Sequence, residues 1–268
     1  MFIAWLLDIY ITLRGRYEQA CLGGNHGRVK WFPFGCLIKI GKARAGAEAD
    51  TVRFIREHTT IPVPRVYISA KGPRRTYMVM ESVDGIPLQY VWRELNAQQR
   101  LHIVTQLRDY VAQLRTLKPP SAVSSGTISS LYGQSYRDSR LSSGAPVGPF
   151  PSEGALNDFL IDVADRWIDK GLTVDTRRKM RNDHRIMFTH GDLAPRNILV
   201  KGDEVVALID WEESGWMPEH WEFIKAMWCT GLEDDATWDE AVFGFLTREY
   251  ETDWKIDREL TDYMEGVV

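Results

Sequence analysis

The chain has 268 residues, 44% of them hydrophobic and 26% charged, with a formal net charge of −4. That is the composition of a soluble globular domain or of two packed lobes, each with its own core. The slight negative balance gives no ground for a nucleic-acid partner. Three cysteines (Cys21, Cys36, Cys229), an odd count with no C-x-x-C spacing, suggest neither a disulfide framework nor a zinc site.

The first run, "FIAWLLDIYITL", carries Asp8 inside it, has no basic residue before it and is too short to span a bilayer. It is expected to be an amphipathic or buried helix, and the protein to be cytoplasmic with no membrane partner. "GRVKWFPFGCLIKIGK" predicts two strands, residues 27–32 and 36–40, around a turn at Pro33-Phe34-Gly35. "AGAEADTVRFIREHT" places Ala49, Val52, Phe54 and Ile55 at helical spacing. The two prolines of "IPVPRVYIS" force extended backbone. A short apolar strand at 77–80 follows, then a turn at Asp84-Gly85.

From 95 to 117 the pattern is a long amphipathic helix, with Leu101, Val104, Leu107, Val111 and Leu114 as its apolar stripe. Residues 119–154 are rich in Pro, Ser and Gly and read as a long loop, of the length that is functional or mobile in a compact domain. "ALNDFLIDVADRWIDKG" is expected to be one helix closed by Gly171. The basic run 177–181 reads as a solvated helix face, and helical patterns return after Pro218. The outline is a small β-rich N-terminal lobe over 1–83, and a larger helical lobe over 84–268 that carries a hairpin.

That hairpin lies in "FTHGDLAPRNILVKGDEVVALIDWEESGW". Residues 197–200 and 205–209 form its strands and "KGDE" its turn, which brings Asn197 and Asp210 side by side. An amide oxygen and a carboxylate converging there are hard donors suited to Mg²⁺ held jointly with phosphate oxygens. Asp192, five residues before Asn197, has the D-x-x-x-x-N spacing of a kinase catalytic loop, in which the aspartate accepts the proton of the acceptor hydroxyl. Asp and Asn near turns also commonly serve only to satisfy backbone groups. It is the order, spacing and hairpin context of all three that favour phosphoryl transfer.

"HGDLAPRNILV" followed by "LIDWE" resembles the aminoglycoside phosphotransferases and choline kinase-like enzymes, distant relatives of protein kinases, over roughly residues 30–230. The resemblance implies an α+β, two-lobed protein-kinase-like fold and an enzyme that moves the γ-phosphate of ATP, with Mg²⁺, to a hydroxyl of a small molecule. It makes Asp192 the catalytic base, Asn197 and Asp210 the metal ligands, and His190 a brace of the catalytic loop. Lys39 would contact the α- and β-phosphates and Glu48 would hold its ammonium, although each alone reads as a solvated charge. The main chain of Glu81 to Val83 would meet the adenine edge, where a plain strand end explains the same residues. Glu222 would steady the catalytic loop or, on the plainer reading, sit on a helix surface.

Several departures narrow the branch. Ala194 stands where protein kinases carry lysine, and Trp211-Glu212 follows the metal aspartate instead of Phe-Gly. "LGGNHGRV" lacks the G-x-G-x-x-G order of a phosphate lid. The irregular lid keeps open an alternative, a kinase-like pseudoenzyme or nucleotide-binding module without turnover. Residues 231–268 hold twelve acidic and three basic residues. In the resembling family this part supplies the acceptor side of the cleft, so a cationic acceptor is expected to meet Glu233, Asp234 and Asp235. A solvated acidic surface is the competing reading.

Overall fold

Strand β1 (Val29–Phe32) and β2 (Cys36–Gly41) pair antiparallel, and with β3 (Val66–Lys71) and β4 (Thr76–Glu81) they make a four-stranded sheet in the order β1-β2-β4-β3. The computed structural model describes residues 3–12, 28–32, 34–41, 45–72, 75–141, 145–228, 232 and 235–261. Most of "LGGNHGRV" therefore lies outside the described residues, as do Glu233 and Asp234.

The period-two alternation of a strand sends neighbouring side chains to opposite faces. On one face Ile38, Tyr77 and Val79 pack against Ala4, Leu7 and Ile11 of helix α1, residues 3–12, and the Tyr77 hydroxyl donates to Asp8. Lys39 goes to the other face, toward helix α2 (Ala45–His58), where Ile55 is fully buried. The proline-bound stretch after α2 stays extended, and the Leu208 N–H donates to the Pro62 carbonyl at 2.8 Å, tying it to the catalytic hairpin.

Helix α3 (Ala97–Thr116) opens on a capping box between Asn96 and Gln99. Its buried face is Ile103, Val104, Leu107, Val111 and Leu114, whereas Leu101 is 61% exposed. At 100° per residue Leu101 lies roughly 110° from the centre of that stripe, so it drops out and Ile103 takes its place. Among its described residues the Pro/Ser/Gly-rich stretch forms no helix before Glu153. It is stitched by bridges between Ile128 and Phe150, Ser129 and Trp216, and Tyr136 and Val147, and it buries Ile128, Tyr136 and Leu141 against Leu156 and Leu160.

The single helix expected over 155–171 is two, α4 (Glu153–Ala164) and α5 (Lys170–Lys179). Gly171 does not close a helix. Its N–H donates to Asp169, the N-cap of α5, at 2.8 Å. The basic run ends α5, where cations complement the helix dipole, and Arg177 and Lys179 pair with Asp158 and Glu259.

Strands β5 (Ile86–Pro87), β7 (Ile198–Lys201) and β8 (Glu204–Leu208) form one small sheet, and β6 (Ile186–Thr189) and β9 (Gly215–Pro218) another. Helices α6 (Trp221–Trp228), α7 (Ala236–Phe245) and α8 (Glu251–Thr261) complete the larger part. Among the described residues no helix is long and apolar enough to cross a membrane.

Candidate active site

The hairpin β7–β8 turns at Gly202, whose φ of 66° suits glycine, and pairs Ile198 with Leu208. One rung further, the Ile209 N–H donates to the Asn197 carbonyl at 3.0 Å. Asn197 and Asp210 thus leave the hairpin from neighbouring positions. Asp210 sits in the left-handed region (φ 64°), a conformation aspartate tolerates better than most residues, and this swings its carboxylate out of the strand.

Asp210 meets Lys39 across the cleft. The ammonium donates to Asp210 Oδ1 at 2.8 Å and to Glu48 Oε1 at 2.8 Å, joining β2, α2 and the hairpin through one atom. Burial works against the charged Lys39, but Glu48 and Asp210 outweigh it and its pKa is raised. Burial pushes the Glu48 carboxyl up to about 7 against the pull of Lys39. For Asp210 the same burial is overcome by Lys39, which holds the carboxyl below its ordinary range.

The loop that carries Asp192 is held from beneath. Glu222, fully buried in the first turn of α6, accepts the His190 N–H at 2.6 Å and the Gly191 N–H at 3.1 Å. Burial raises the Glu222 carboxyl to about 7 despite those two bonds. Gly191 has φ 78°, and a Cβ there would stand 2.4 Å from the Glu213 carbonyl oxygen, so no side chain fits. His190 is completely buried and lies against Trp211 with ring centroids 4.4 Å apart. Its Nδ1 accepts the Asp192 N–H at 3.2 Å, which leaves Nε2 to donate to the Ile209 carbonyl at 3.1 Å. Burial lowers its pKa, so the neutral ring locks the loop to the hairpin.

Asp192 then stands at the mouth with 18% of its side chain exposed. Asn197 Nδ2 donates to Asp192 Oδ2 at 2.7 Å, and Arg196 Nη2 reaches both carboxylate oxygens at 2.6 and 2.8 Å. One carboxylate oxygen from each of Glu48, Asp210 and Glu212 lies within 4.8 Å of the other two. Such hard oxygen donors fit Mg²⁺, and Asn197 can add its amide oxygen.

The other sequence-derived residues are placed as follows. Glu81 ends β4, donating its N–H to the Arg65 carbonyl at 2.9 Å and accepting the Arg65 N–H on Oε2 at 3.0 Å. Val83 is half-buried in the connection that follows. Asp235 N-caps α7 by accepting the Thr237 N–H at 3.1 Å, and pairs with Arg93. Other acidic groups of that segment are also engaged within the protein, Asp257 with Arg140 and Glu259 with Lys179.

Sequence reasoning missed Arg196, Glu212, Arg28 and Arg137. Arg28 forks onto Glu212, with three contacts of 3.1 Å, and Arg137 reaches the same carboxylate at 3.3 Å. Arg196 could have been found from its place four residues after Asp192. The Arg28–Glu212 pair spans 184 positions and left no local signal.

A lysine tied to a helix carboxylate and to a hairpin aspartate, beside a braced aspartate at the cleft mouth, is the arrangement of side chains that the family resemblance led one to expect. The model of the phosphotransferase enzyme family matches residues 38–260. The chain belongs to that family. A comparison with curated proteins found no match. Among solved structures it is similar to an aminoglycoside-3'-phosphotransferase of type VIII, with 21% identity, TM-score 0.53, and 93% of this chain and 98% of the other covered. It is also similar to APH(2'')-IIa in its ternary complex with streptomycin and ATP, with 10% identity, TM-score 0.60 and coverage of 93% and 85%. The aminoglycoside phosphotransferase APH(3'')-Id from Streptomyces rimosus, bound to ADP and streptomycin, matches with 15% identity, TM-score 0.53 and coverage of 94% and 98%. These likenesses establish the fold: α+β, with a small sheet-bearing lobe and a larger, mostly helical one.

Proposed function

We propose that this chain is an ATP-dependent small-molecule kinase that transfers the γ-phosphate to a hydroxyl. The observation that carries the reading is Lys39 at 2.8 Å from both Glu48 and Asp210, a centre already assembled across the cleft. Lys39 neutralises the α- and β-phosphates while Glu48 holds its ammonium in place. The main chain from Glu81 to Val83 borders the adenine. Asp210 and Asn197 hold Mg²⁺, with Glu212 in reach, and the ion supplies charge neutralisation across the phosphates.

Asp192 accepts the proton of the acceptor hydroxyl as that oxygen bonds to the γ-phosphorus. The bond to the β,γ-bridging oxygen breaks and ADP leaves. Arg196 and Asn197 aim the Asp192 carboxylate, and His190 and Glu222 hold the loop that carries it. Positioning and preorganised charge supply the acceleration in chemistry of this kind. The reaction draws on cytoplasmic ATP.

The acceptor is a hydroxyl-bearing small molecule, and we take it to be cationic. The support is the acidic excess of residues 231–268, with Glu233, Asp234 and Asp235 as the candidate contacts, of which Asp235 also caps α7. Transfer of labelled γ-phosphate should be screened over amino-sugars, amino-alcohols, choline and neutral sugars. Mg²⁺-dependent transfer to a cationic acceptor supports the reading. Transfer only to neutral or anionic acceptors removes the cationic element, and nucleotide binding without transfer to any acceptor returns the chain to a binding module.

A further inference from the structure

Behind the catalytic loop lies a second group of donors that phosphoryl transfer does not use. Glu153 opens α4, His184 precedes β6, and His220 precedes α6, so three segments far apart in sequence meet at one point. All three are buried, His184 at 7% and His220 at 8% exposure. Glu153 Oε1 lies 2.6 Å from His184 Nδ1 and 3.8 Å from His220 Nδ1, and one donor atom of each residue falls within 4.8 Å of the other two.

Two of the nitrogens, His184 Nε2 and His220 Nδ1, are buried with no hydrogen-bond partner. A buried polar atom left unpaired is costly, so two on neighbouring rings call for an occupant. A cavity of about 20 Å³ bordered by these residues and by Asp253 has room for one particle of water size. Asp253 Oδ1 stands 3.6 Å from His184 Nε2, and with Glu153 supplies two negative charges for a dication, while Arg181 at the cavity edge offsets part of that charge.

We propose that Glu153, His184 and His220 form a structural site for a divalent transition metal, zinc by its donor chemistry. Two imidazole nitrogens and one carboxylate oxygen suit zinc far better than magnesium, and Asp253 Oδ1, 3.6 Å from His184 Nε2, stands near enough to close the site with a fourth protein donor. The ion fastens the chain entering β6, which leads to His190, to the turn entering α6, which carries Glu222. It braces the frame beneath the catalytic loop and takes no part in the chemistry.

The test uses the full chain, stripped with a chelator and returned to excess Mg²⁺ so that the phosphate site is covered. Zn²⁺ is then titrated by calorimetry and its effect on thermal unfolding measured. The wild type should take up one Zn²⁺ per chain with a rise in Tm, and Asp210→Ala should do the same. His220→Asn should weaken zinc binding at least ~100-fold and lose the zinc-dependent rise, even the loss of an outer-shell partner costing ~10–100-fold. Glu153→Gln should lose the rise as well. Should both variants fail to fold, the absorption of the wild type loaded with Co²⁺ decides: a tetrahedral ligand-field band supports the site, and its absence overturns it. The proposal also falls if the wild type binds no zinc, which leaves the cavity to water, if His220→Asn binds it equally well, or if Asp210→Ala abolishes binding.

Discussion

Glu48, Asp210 and Glu212 in the cleft, and Glu153 with His184 and His220 behind it, are both groups of donors close enough to share an ion, but they differ in what neutralises them now. In the cleft each carboxylate already faces a protein cation: Lys39 serves Glu48 and Asp210, and Arg28 and Arg137 serve Glu212. Asp210 and Glu212 keep 30% and 23% of their side chains exposed, so solvent reaches them. Behind the loop the donors are nearly sealed, and two nitrogens have no partner. The first arrangement suits a site that must admit and release charged ligands at every turnover. The second suits a site filled once.

The comparison is broken most directly at Asp210. If the cleft cluster is the exchangeable one, Asp210→Ala should abolish Mg²⁺-dependent ATP binding in calorimetry while the protein stays folded, and an unchanged isotherm would remove the cleft from metal binding. Asp192→Asn separates chemistry from binding. Transfer should fall at least ~10²-fold, as expected when a positioned base is lost, with ATP affinity unchanged. A parallel loss of ATP affinity would assign Asp192 to the nucleotide instead.

Glu222 sharpens the contrast between the mouth of the cleft and the frame beneath it. Its carboxyl titrates near 7 in the folded protein against an ordinary value of 4.5, so the folded state binds more protons between these values. The associated stability is present in full below about pH 4.5 and is lost as pH rises through 7, amounting to ~3 kcal/mol across the window. Glu222→Gln cannot titrate. Relative to that variant, the wild type should lose stability between pH 4.5 and 7 in denaturant melts, on top of a pH-independent offset from replacing one acceptor oxygen by an NH₂. Parallel curves would show that Glu222 stays ionised throughout. The smallest effect is expected at Arg28, whose side chain is 56% exposed. Arg28→Ala should cost under ~1 kcal/mol, and less still in high salt. A larger loss would mean that the Arg28–Glu212 pair closes the cleft as firmly as the buried frame is built.

What the sequence alone determined is what short-range rules encode. The strands around Ile38 and Val79, the long helix within 95–117, the hairpin turning in "KGDE", and the order of His190, Asp192, Asn197 and Asp210 follow from periodicity, turn chemistry and motif spacing within a few residues. The Lys39–Glu48 pairing was an expectation carried by the family resemblance, and the two side chains meet at 2.8 Å from adjacent elements nine positions apart. Tertiary structure decided the rest. Leu101 and Ile103 both fit an apolar helix, and only the packing partners chose which faces inward. Gly171 could close one helix or begin another, and Asp169 won by capping α5. Arg28 reaches Glu212 across 184 positions, and Arg140 reaches Asp257 across 117. Glu153 and the two histidines converge in the same way, over 31 positions for Glu153 and His184. A side chain's partner over such separations depends on where whole elements dock, and one sequence carries no local mark of that.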